Sequence, residues 1–337
     1  MKYNYLGNTG LKVSELCLGT MTFGGRGFWT AIGTLPQEQV NVLVKQAVES
    51  GINFIDTANV YSEGLSEKMT GQAIRDLGLN RGDLVIATKV RGQMGPGPNQ
   101  SGLSRKHILQ QADESLARLN LDYIDLYQIH GFDPLTPMQE TLEALDALVR
   151  SGKVRYIGCS NLAAWQVMKA LGISAQGHLS KFVSLQAFYT LASRELEREL
   201  VPMLLDQKMG LMVWSPLAGG FLSGKYSRHA ESKEGRRSGF DFPPINKDKA
   251  YDIIDAMQGI AKEKQVTVAQ VALAWLLHQP VVTSVIIGAN KPEQLADNLN
   301  SVHVQLSDEE LGKLDEISKL QPEYPGWMID RQGRDRK

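Results

Sequence analysis

The sequence of 337 residues predicts one domain, residues 1–337, built as an α/β barrel of eight parallel strands, the (β/α)8 fold. Three observations predict it. Eight short apolar runs recur along the chain, helical segments separate them, and no G-x-G-x-x-G pattern follows the first run, as it would in an open dinucleotide-binding sheet. Alternating strands and helices give parallel strands with right-handed crossovers, and eight such units close into a barrel. An open, doubly wound sheet is the alternative.

Apolar runs of five to seven residues supply the predicted barrel strands. Their starts lie about 30 to 40 residues apart, except for a longer gap before the last run. Ahead of them, YNYLGNTGLKVSEL (3–16) predicts a hairpin, turning at NTG, that caps the bottom of the barrel. The runs are LCLGT (16–20), NFIDT (53–57), LVIATKV (84–90), IDLYQIH (124–130), VRYIGCS (154–160), FVSLQ (182–186), GLMVW (210–214) and TSVIIG (283–288).

The segments between the runs carry helix signals. Apolar residues recur at helical spacing over 36–50, which ends before Gly51, and the segment 193–210 is amphipathic. Pro292 stands where the first turn of another helix is expected. Capping-box pairs, in which a threonine precedes a glutamine by three residues, predict two more helix starts, Thr136 with Gln139 and Thr267 with Gln270.

Charge and composition exclude several classes of protein. The net charge of −1 argues against a nucleic-acid partner, which usually needs a basic surface. No apolar run approaches the roughly 18 residues of a membrane span, and the N-terminus has no secretory signal. Cys17 and Cys159 each lie in an apolar run, so we expect buried, reduced thiols in a cytoplasmic protein. No metal site is expected, because Cys and His do not cluster at ligand spacing.

Polar residues at the ends of three predicted strands indicate a catalytic site. Asp56 ends the second run and Tyr61 follows in its loop, Lys89 lies near the end of the third run, and His130 ends the fourth. Taken singly, each has a commoner explanation as a turn, core or packing residue. The carboxyl ends of the strands, however, meet at the mouth of a (β/α)8 barrel, which is where such enzymes place their active sites.

These four side chains together suit proton transfer to a developing alkoxide. A tyrosine has an ordinary pKa of about 10, too high for efficient acid–base work near neutrality, and a nearby ammonium lowers it by favouring the phenolate. Asp56 would hold Lys89, since an unpaired buried charge is costly. Tyr61 would then be the acid, and His130 would donate to a substrate oxygen.

The chain resembles the aldo-keto reductases along essentially its whole length. The matching stretches include LCLGTMTFG, GINFIDTANVYSEG, LVIATKV, LDYIDLYQIHGFD, GKVRYIGCSN, SLQAFYTL, VWSPLAGGFLSGKY and VIIGANKPEQLADNL. The resemblance implies a (β/α)8 barrel that reversibly reduces carbonyl compounds with NAD(P)H. It also implies that Asp56, Tyr61, Lys89 and His130 form the catalytic tetrad, with Tyr61 as the general acid for reduction and the base for oxidation.

The resemblance also implies an extended nicotinamide cofactor across the barrel mouth. Ser160, Asn161 and Gln186 would bind the carboxamide, and Trp214 would stack on the nicotinamide ring. The segment SPLAGGFLSGK (215–225) would form a backbone cradle whose N–H groups wrap the pyrophosphate, with Lys225 adding charge. Part of the long loop 218–247 is expected to fold over the cofactor. The full set of expected cofactor contacts is Gly19, Thr20, Met21, Asp56, Ser160, Asn161, Gln186, Trp214, Ser215, Pro216, Leu217, Gly220, Leu222, Gly224, Lys225, Gly288, Ala289, Asn290, Lys291, Gln294, Asp297 and Asn298.

The segment expected at the 2′-phosphate departs from the family pattern. Asn290, followed by Lys291, stands where many relatives have an arginine, and Gln294 occupies another such position. Asn298 matches the usual adenine contact, and Asp297 replaces a more usual glutamate. A lysine at a helix N-terminus still attracts phosphate, although without the bidentate fit of arginine. NADPH is therefore the favoured cofactor, and NADH remains possible.

The substrate is expected to be an aldehyde or ketone with an apolar body. Phe23, Phe28 and Trp29 would line an apolar wall near Tyr61 and His130, with further contacts from 91–102 and the C-terminal tail, 321–337. The sequence does not indicate an oligomeric state.

Two other functions stay open. One is a nucleotide-sensing regulatory protein, since some members of the resembled family act as channel β-subunits. The other is a different (β/α)8 enzyme, such as an aldolase that uses Lys89 to form a Schiff base.

Overall fold

Eight parallel strands close into a barrel in the computed structural model, which describes residues 1–228 and 236–334. Two short antiparallel strands, β1 (Tyr3–Tyr5) and β2 (Lys12–Ser14), form a hairpin ahead of the barrel. The strands follow chain order around the barrel, and the last closes on the first, which confirms the predicted (β/α)8 fold. The barrel strands are β3 (Leu16–Gly19), β4 (Phe54–Asp56), β5 (Val85–Val90), β6 (Ile124–Ile129), β7 (Val154–Ser160), β8 (Phe182–Phe188), β9 (Gly210–Trp214) and β10 (Val282–Ile287).

Helices separate the strands and form a layer around the barrel. The first five contact their neighbours in turn, and the first also meets the helix that follows β10. The helices are α1 (Gln37–Glu49), α2 (Leu65–Asp76), α3 (Arg105–Leu119), α4 (Met138–Arg150), α5 (Ala164–Gly177), α6 (Leu200–Gln207), α7 (Arg236–Gly239), α8 (Lys247–Lys264), α9 (Val268–Leu277), α10 (Pro292–Leu299), α11 (Asp308–Ser318) and α12 (Gly326–Gly333). Within the described ranges, no helix combines the length and the hydropathy needed to cross a membrane.

Three predicted helix boundaries are confirmed. α1 ends at Glu49, and Gly51 follows with φ of +91°, a conformation that glycine adopts without strain. Thr267 Oγ1 accepts a hydrogen bond from the Gln270 amide, and the Gln270 side chain accepts one from the Thr267 amide, so α9 begins with the expected capping box. α10 begins at Pro292, where a missing N–H costs nothing.

The capping box predicted for Thr136 and Gln139 is wrong. α4 begins at Met138, and its start has no side-chain cap. The Thr136 hydroxyl instead donates to Asp133 Oδ2 at 2.7 Å. The nearby carboxylate therefore takes the hydroxyl that the pattern assigned to the helix backbone.

The single helix predicted over 193–210 is also wrong, because a 3₁₀ turn, Glu195–Glu197, precedes the separate helix α6. Pro202 has no N–H to donate to the carbonyl of Arg198, so a continuous helix would lose a hydrogen bond there. The Arg194 side chain reaches away to Asp315 of α11, with 2.9 Å between Nη1 and Oδ1. Backbone and side chain together therefore divide the segment.

The hairpin closes the amino end of the barrel, as predicted. Leu6 and Val13 are fully buried, and they pack in one cluster with Cys17, Phe54 and Met212 from the barrel strands. Both cysteines are buried and free, in agreement with the sequence, and burial raises the pKa of each thiol. Apolar side chains thus fill the amino end of the barrel, and the opposite, carboxyl end of the strands is open to polar side chains.

Candidate active site

A cleft with a volume of about 570 Å³ opens at the carboxyl ends of the barrel strands. Most of the predicted site residues line it, from Gly19 at the end of β3 to Asn298 on α10. Five predicted residues do not line it: Phe23, Lys89, Leu222, Gly224 and Lys291. The cleft therefore collects side chains that are far apart in the chain.

Lys89 lies beneath the cleft and joins the predicted catalytic residues. Its side chain is fully buried, and Nζ donates to Asp56 Oδ2 at 2.5 Å and to the Thr57 carbonyl at 2.9 Å. Nζ also lies 3.4 Å from Tyr61 Oη. The predicted contact between Asp56, Lys89 and Tyr61 is thus present as a continuous chain of polar atoms.

Two glutamines complete the bonding of the Asp56 carboxylate. Gln128 Nε2 donates to Asp56 Oδ1 at 3.0 Å, and Gln186 Nε2 donates to the same oxygen at 2.9 Å. Gln128 is a site residue that the sequence analysis missed. The signal available in the sequence was a polar amide within the apolar run IDLYQIH, two residues before His130, and the structure shows that this amide is fully buried. With both oxygens occupied, Asp56 is held in one orientation toward Lys89.

A left-handed turn after Tyr61 directs its phenol over the cleft floor. Ser62, Glu63 and Gly64 all have positive φ, between +49° and +86°. The Ser62 hydroxyl anchors the turn by donating to the Phe23 carbonyl at 2.9 Å. Phe23 itself is fully buried in the core, so it supports this turn and does not line the predicted substrate wall.

Aromatic rings surround the phenol. The Tyr61 ring lies 5.1 Å from the Trp29 ring and 5.8 Å from the His130 ring, both in edge-to-face arrangements. Phe28 contacts Trp29 edge-on and is exposed at the cleft. The structure therefore brings together four of the five residues predicted to contact substrate.

Electrostatics set opposite charge states for the two basic side chains of the site. Burial acts to lower the pKa of Lys89, but the Asp56 carboxylate, aided by Tyr61, outweighs it and holds that pKa above its usual value. Burial, with the nearby charges of Lys89 and Arg91, lowers the pKa of His130 to about 3. At neutral pH, Lys89 is an ammonium and His130 is uncharged.

The predicted carboxamide set forms one hydrogen-bonded group beside Trp214. Asn161 Nδ2 donates to Ser160 Oγ at 3.0 Å and to the His130 carbonyl at 3.1 Å, and Asn161 Oδ1 accepts from Trp214 Nε1 at 3.0 Å. Gln186 joins the group through its main-chain carbonyl, which accepts a hydrogen bond from the Ser160 hydroxyl. These bonds fix the indole ring at the cleft.

Trp214 also stacks with two phenylalanines. The Phe188 ring lies 4.9 Å from the indole, and the Phe242 ring lies nearly parallel to the indole at 6.0 Å. Phe242 and Phe240, which stacks on it at 5.4 Å, line the cleft although the sequence analysis did not predict them. Aromatic residues spaced by two within the long loop 218–247 were the available signal. Residues 229–235 of that loop lie outside the described residues.

The turn after β9 offers side chains to the cleft. The amides of Ala218, Gly219, Gly220 and Leu222 donate within the turn, so the predicted backbone cradle is largely occupied by its own bonds. Ser223, which was not predicted, lines the cleft, and its buried Oγ has no hydrogen-bond partner among the described residues. Lys225 lines the same region. Leu222 and Gly224 support the turn from outside the cleft.

The far end of the cleft lies against α10. Asn290, Gln294, Asp297 and Asn298 line it, whereas Lys291 is exposed at the helix N-terminus outside the lining. Gln270 Nε2 donates to Asp297 Oδ1 at 2.8 Å, so this carboxylate is already paired. Neither 91–102 nor the described part of the tail contributes to the lining, contrary to the sequence expectation. Among residues 1–228 and 236–334, no three His, Cys, Asp or Glu side chains are grouped to hold a metal ion.

Comparison with known proteins identifies the family. The profile described as "Aldo/keto reductase family" matches residues 15–319. The chain belongs to the aldo/keto reductase family. This confirms the resemblance found in the sequence, and it makes the chain an oxidoreductase of a family that generally uses NAD(P)H.

Three relatives show the range of proteins within aldo/keto reductases of this length. An uncharacterized oxidoreductase, YrpG, of Bacillus subtilis is 39% identical, covering 94% of this chain and 96% of its own. A versiconal hemiacetal acetate reductase of Aspergillus parasiticus is 35% identical, over 97% and 99%. A probable voltage-gated potassium channel subunit beta of Arabidopsis thaliana is 36% identical, over 96% and 99%. The proteins that resemble this chain over nearly its full length are therefore named both as enzymes and as a channel subunit.

Proposed function

We propose that this protein, acting as one domain, reduces aldehydes and ketones to alcohols with NADPH, and that Tyr61 supplies the proton. The observation that carries the proposal is the buried chain from Asp56 through Lys89 to Tyr61, with 3.4 Å between the ammonium nitrogen and the phenol oxygen. A proton donor backed by a fixed cation suits a reaction in which negative charge develops on a carbonyl oxygen.

The residues divide the work of the proton step. The Tyr61 hydroxyl donates its proton to the carbonyl oxygen, and the Lys89 ammonium stabilises the phenolate that is left. Asp56, held by Gln128 and Gln186, keeps Lys89 charged and in place. In alcohol oxidation the same phenolate takes the proton back.

His130 has an orienting role in this proposal. Its low pKa, about 3, keeps the imidazole neutral, so it can donate one hydrogen bond to the substrate oxygen without competing with Tyr61 as the acid. Phe28 and Trp29 would contact the apolar body of the substrate at the cleft wall.

The cleft fits a nicotinamide dinucleotide, which supplies a hydride when bound. Trp214 offers a flat ring beside the Ser160–Asn161 group, and a carboxamide there would exchange the bond between Asn161 and Trp214 for its own. The Ser223 hydroxyl, which has no hydrogen-bond partner within 1–228 and 236–334, suits a pyrophosphate together with Lys225, and Asn298 suits an adenine. Lys291, exposed at the start of α10, favours NADPH over NADH through its charge alone.

Tyr61→Phe tests the proposal. Absorbance of NADPH and, separately, NADH is followed with short aldehydes, aromatic aldehydes, dicarbonyls and ketones. We expect turnover with NADPH, and a loss of about 100-fold or more in kcat for the variant, because a positioned general acid typically contributes that much. Fluorescence titration should show that the variant still binds NADPH.

Two outcomes would contradict parts of the proposal. Full activity in Tyr61→Phe would remove the phenol from the proton step. Equal kcat/KM with NADH and NADPH would remove the role of Lys291. If turnover occurs and borohydride traps a substrate adduct, the Schiff-base alternative gains the support instead.

A second candidate function is a nucleotide-binding regulatory subunit. The observation that favours it is the 36% identity, over nearly the full length of both chains, with the Arabidopsis thaliana protein named as a potassium channel subunit beta. Tight NADPH binding without turnover of any carbonyl would favour this function over the reductase.

A further inference from the structure

We propose that Arg118, Glu67 and Thr88 are positioning residues that set the distance between Lys89 and Tyr61 from outside the barrel. This inference rests on the proposed function, since it concerns the same proton-transfer pair. The three residues form what we term the outer clamp, and none of them lines the cleft.

The outer clamp holds the strand that carries Lys89. Glu67 on α2 is fully buried, and its Oε1 accepts a hydrogen bond of 2.6 Å from the Thr88 hydroxyl. Successive residues of a strand point to opposite faces, so Thr88 faces the helices while Lys89 faces the barrel interior. A bond at Thr88 therefore fixes the segment of β5 from which the Lys89 side chain extends.

The same clamp touches the turn that carries Tyr61. Arg118 on α3 packs against Gly64, the last residue of the left-handed turn: a Cβ added at Gly64 would lie 2.7 Å from Arg118 Cδ and 3.1 Å from Nε. Arg118 Nε donates to Glu67 Oε2 at 2.6 Å, and Nη2 donates to Ser115 Oγ at 3.1 Å. One arginine thus connects the Tyr61 turn to the carboxylate that holds β5.

Small displacements matter at this position. The attraction between an ammonium and a phenolate falls as the distance between them grows, and it is strong where water is excluded. Lys89 Nζ and Tyr61 Oη are 3.4 Å apart, already at the long end of hydrogen-bond distances. Loosening either β5 or the turn would lengthen this separation and weaken the stabilisation of the phenolate.

A second ion pair, which contacts the same strand, provides a matched control. Arg81 Nη2 lies 2.5 Å from Asp125 Oδ2, and Asp125 accepts a bond of 2.8 Å from the Ile86 amide, near the opposite end of β5. Both pairs join an arginine to a carboxylate that holds β5. Only the pair in the outer clamp also touches the Tyr61 turn.

The test compares three charge-conserving variants, Arg118→Lys, Thr88→Val and the control Arg81→Lys, in the full chain. The pH profile of kcat for alcohol oxidation with NADP⁺ is measured, together with KM, NADP⁺ affinity and the melting temperature. Because the titratable groups around Tyr61, namely Lys89, Asp56 and His130, are unchanged, any shift in the profile reports position and not an altered charge.

For Arg118→Lys and Thr88→Val we expect the acidic limb of the profile, along which kcat rises as the phenol loses its proton, to move to higher pH by about one unit, which is a loss of about tenfold in kcat at a fixed pH on that limb. KM and NADP⁺ affinity should stay within about twofold of their original values. Thr88→Ser, which keeps the hydroxyl, should restore the original profile. Arg81→Lys should lower the melting temperature without moving the profile.

Three results would overturn the inference. The first is that the pH profiles of both Arg118→Lys and Thr88→Val match that of the unaltered protein. The second is that Arg81→Lys shifts the pH profile equally, which would indicate general loosening of the barrel. If the unaltered protein turns over no carbonyl or alcohol, the proposed function fails and the inference fails with it, and this result is distinct from the other two.

Discussion

Lys89 and His130 are both bases near the same phenol, yet their environments move their pKa values in opposite directions. The Asp56 carboxylate overcomes burial for Lys89, whereas burial and the neighbouring cations act together on His130. The sequence placed both residues at strand ends and gave them roles, but it could not give the sign of either shift. That sign depends on which charge lies within a few ångströms, and Gln128 and Gln186, which hold Asp56 toward Lys89, come from distant strands.

At the residue scale, His130 should make stability depend on pH. Its pKa is about 3 in the folded protein and about 6.5 when unfolded, so the unfolded chain binds more protons between these values. The contribution of the neutral His130 to the free energy of unfolding is therefore complete above about pH 6.5, and it decreases as the pH drops toward 3. Urea unfolding between pH 7 and pH 4.5 should show a smaller loss of stability in His130→Gln than in the unaltered protein.

The exposed His303, changed to glutamine in the same way, is the control for this measurement. An identical pH dependence for His130→Gln and the unaltered protein would show that the imidazole is not held neutral by its surroundings.

At the scale of elements, the loop after β9 shows what a one-dimensional pattern omits. The resemblance led us to expect that part of this loop folds over the cofactor, but it did not indicate that a buried arginine organises the loop. Arg237 Nη1 donates to the carbonyls of Ala218 and Pro243, at 2.7 and 3.0 Å, and its other terminal nitrogen pairs with Asp241. A hydrogen bond between residues about twenty positions apart leaves no periodic trace in a sequence.

Arg237→Ala should weaken cofactor binding. The variant leaves buried carbonyls without a donor and releases the segment that bears Phe240 and Phe242 at the cleft. We expect the Kd for NADPH to rise by roughly tenfold or more, since a hydrogen bond to a charged group contributes about 1.5–3 kcal/mol. Fluorescence titration measures it.

Arg228→Ala is the matched control for Arg237→Ala, because Arg228 is an exposed arginine of the same loop that pairs with Asp252. Equal affinities of the two variants for NADPH would show that the hydrogen bonds of Arg237 do not support the cofactor site.

For the whole molecule, the sequence was a good guide to the barrel, because each strand is a continuous apolar run and β/α alternation constrains the topology. It was weaker on helix 193–210 and on Thr136, where Pro202, Arg194 and Asp133 determine the outcome through the backbone or through side-chain contacts. It was wrong to place Phe23 at the substrate wall, because an apolar residue in a mouth loop packs inward or outward according to contacts that spacing does not report.

The hairpin of β1 and β2 at the amino end of the barrel should contribute to stability without affecting catalysis. Leu6 is fully buried at the amino end of the barrel, away from the cleft. Leu6→Ala should lower the free energy of unfolding by about 2–5 kcal/mol, the usual range for such a cavity, and leave kcat/KM within about twofold. Chemical denaturation and steady-state kinetics on the same preparation measure both. A large loss of kcat/KM with unchanged stability would contradict this division between the two ends.

Closure of the barrel also has a consequence for biosynthesis. β3 pairs only with β4 until β10 reaches it, and Cys17 then lies beside Ile286. Asn4 in the hairpin likewise donates to the carbonyl of Thr283, 279 residues later. The first strands to leave the ribosome must therefore wait, with one edge unpaired, for almost the last ones. Contacts so distant in sequence slow folding, so a nascent chain halted before residue 282 would present an open sheet edge to chaperones.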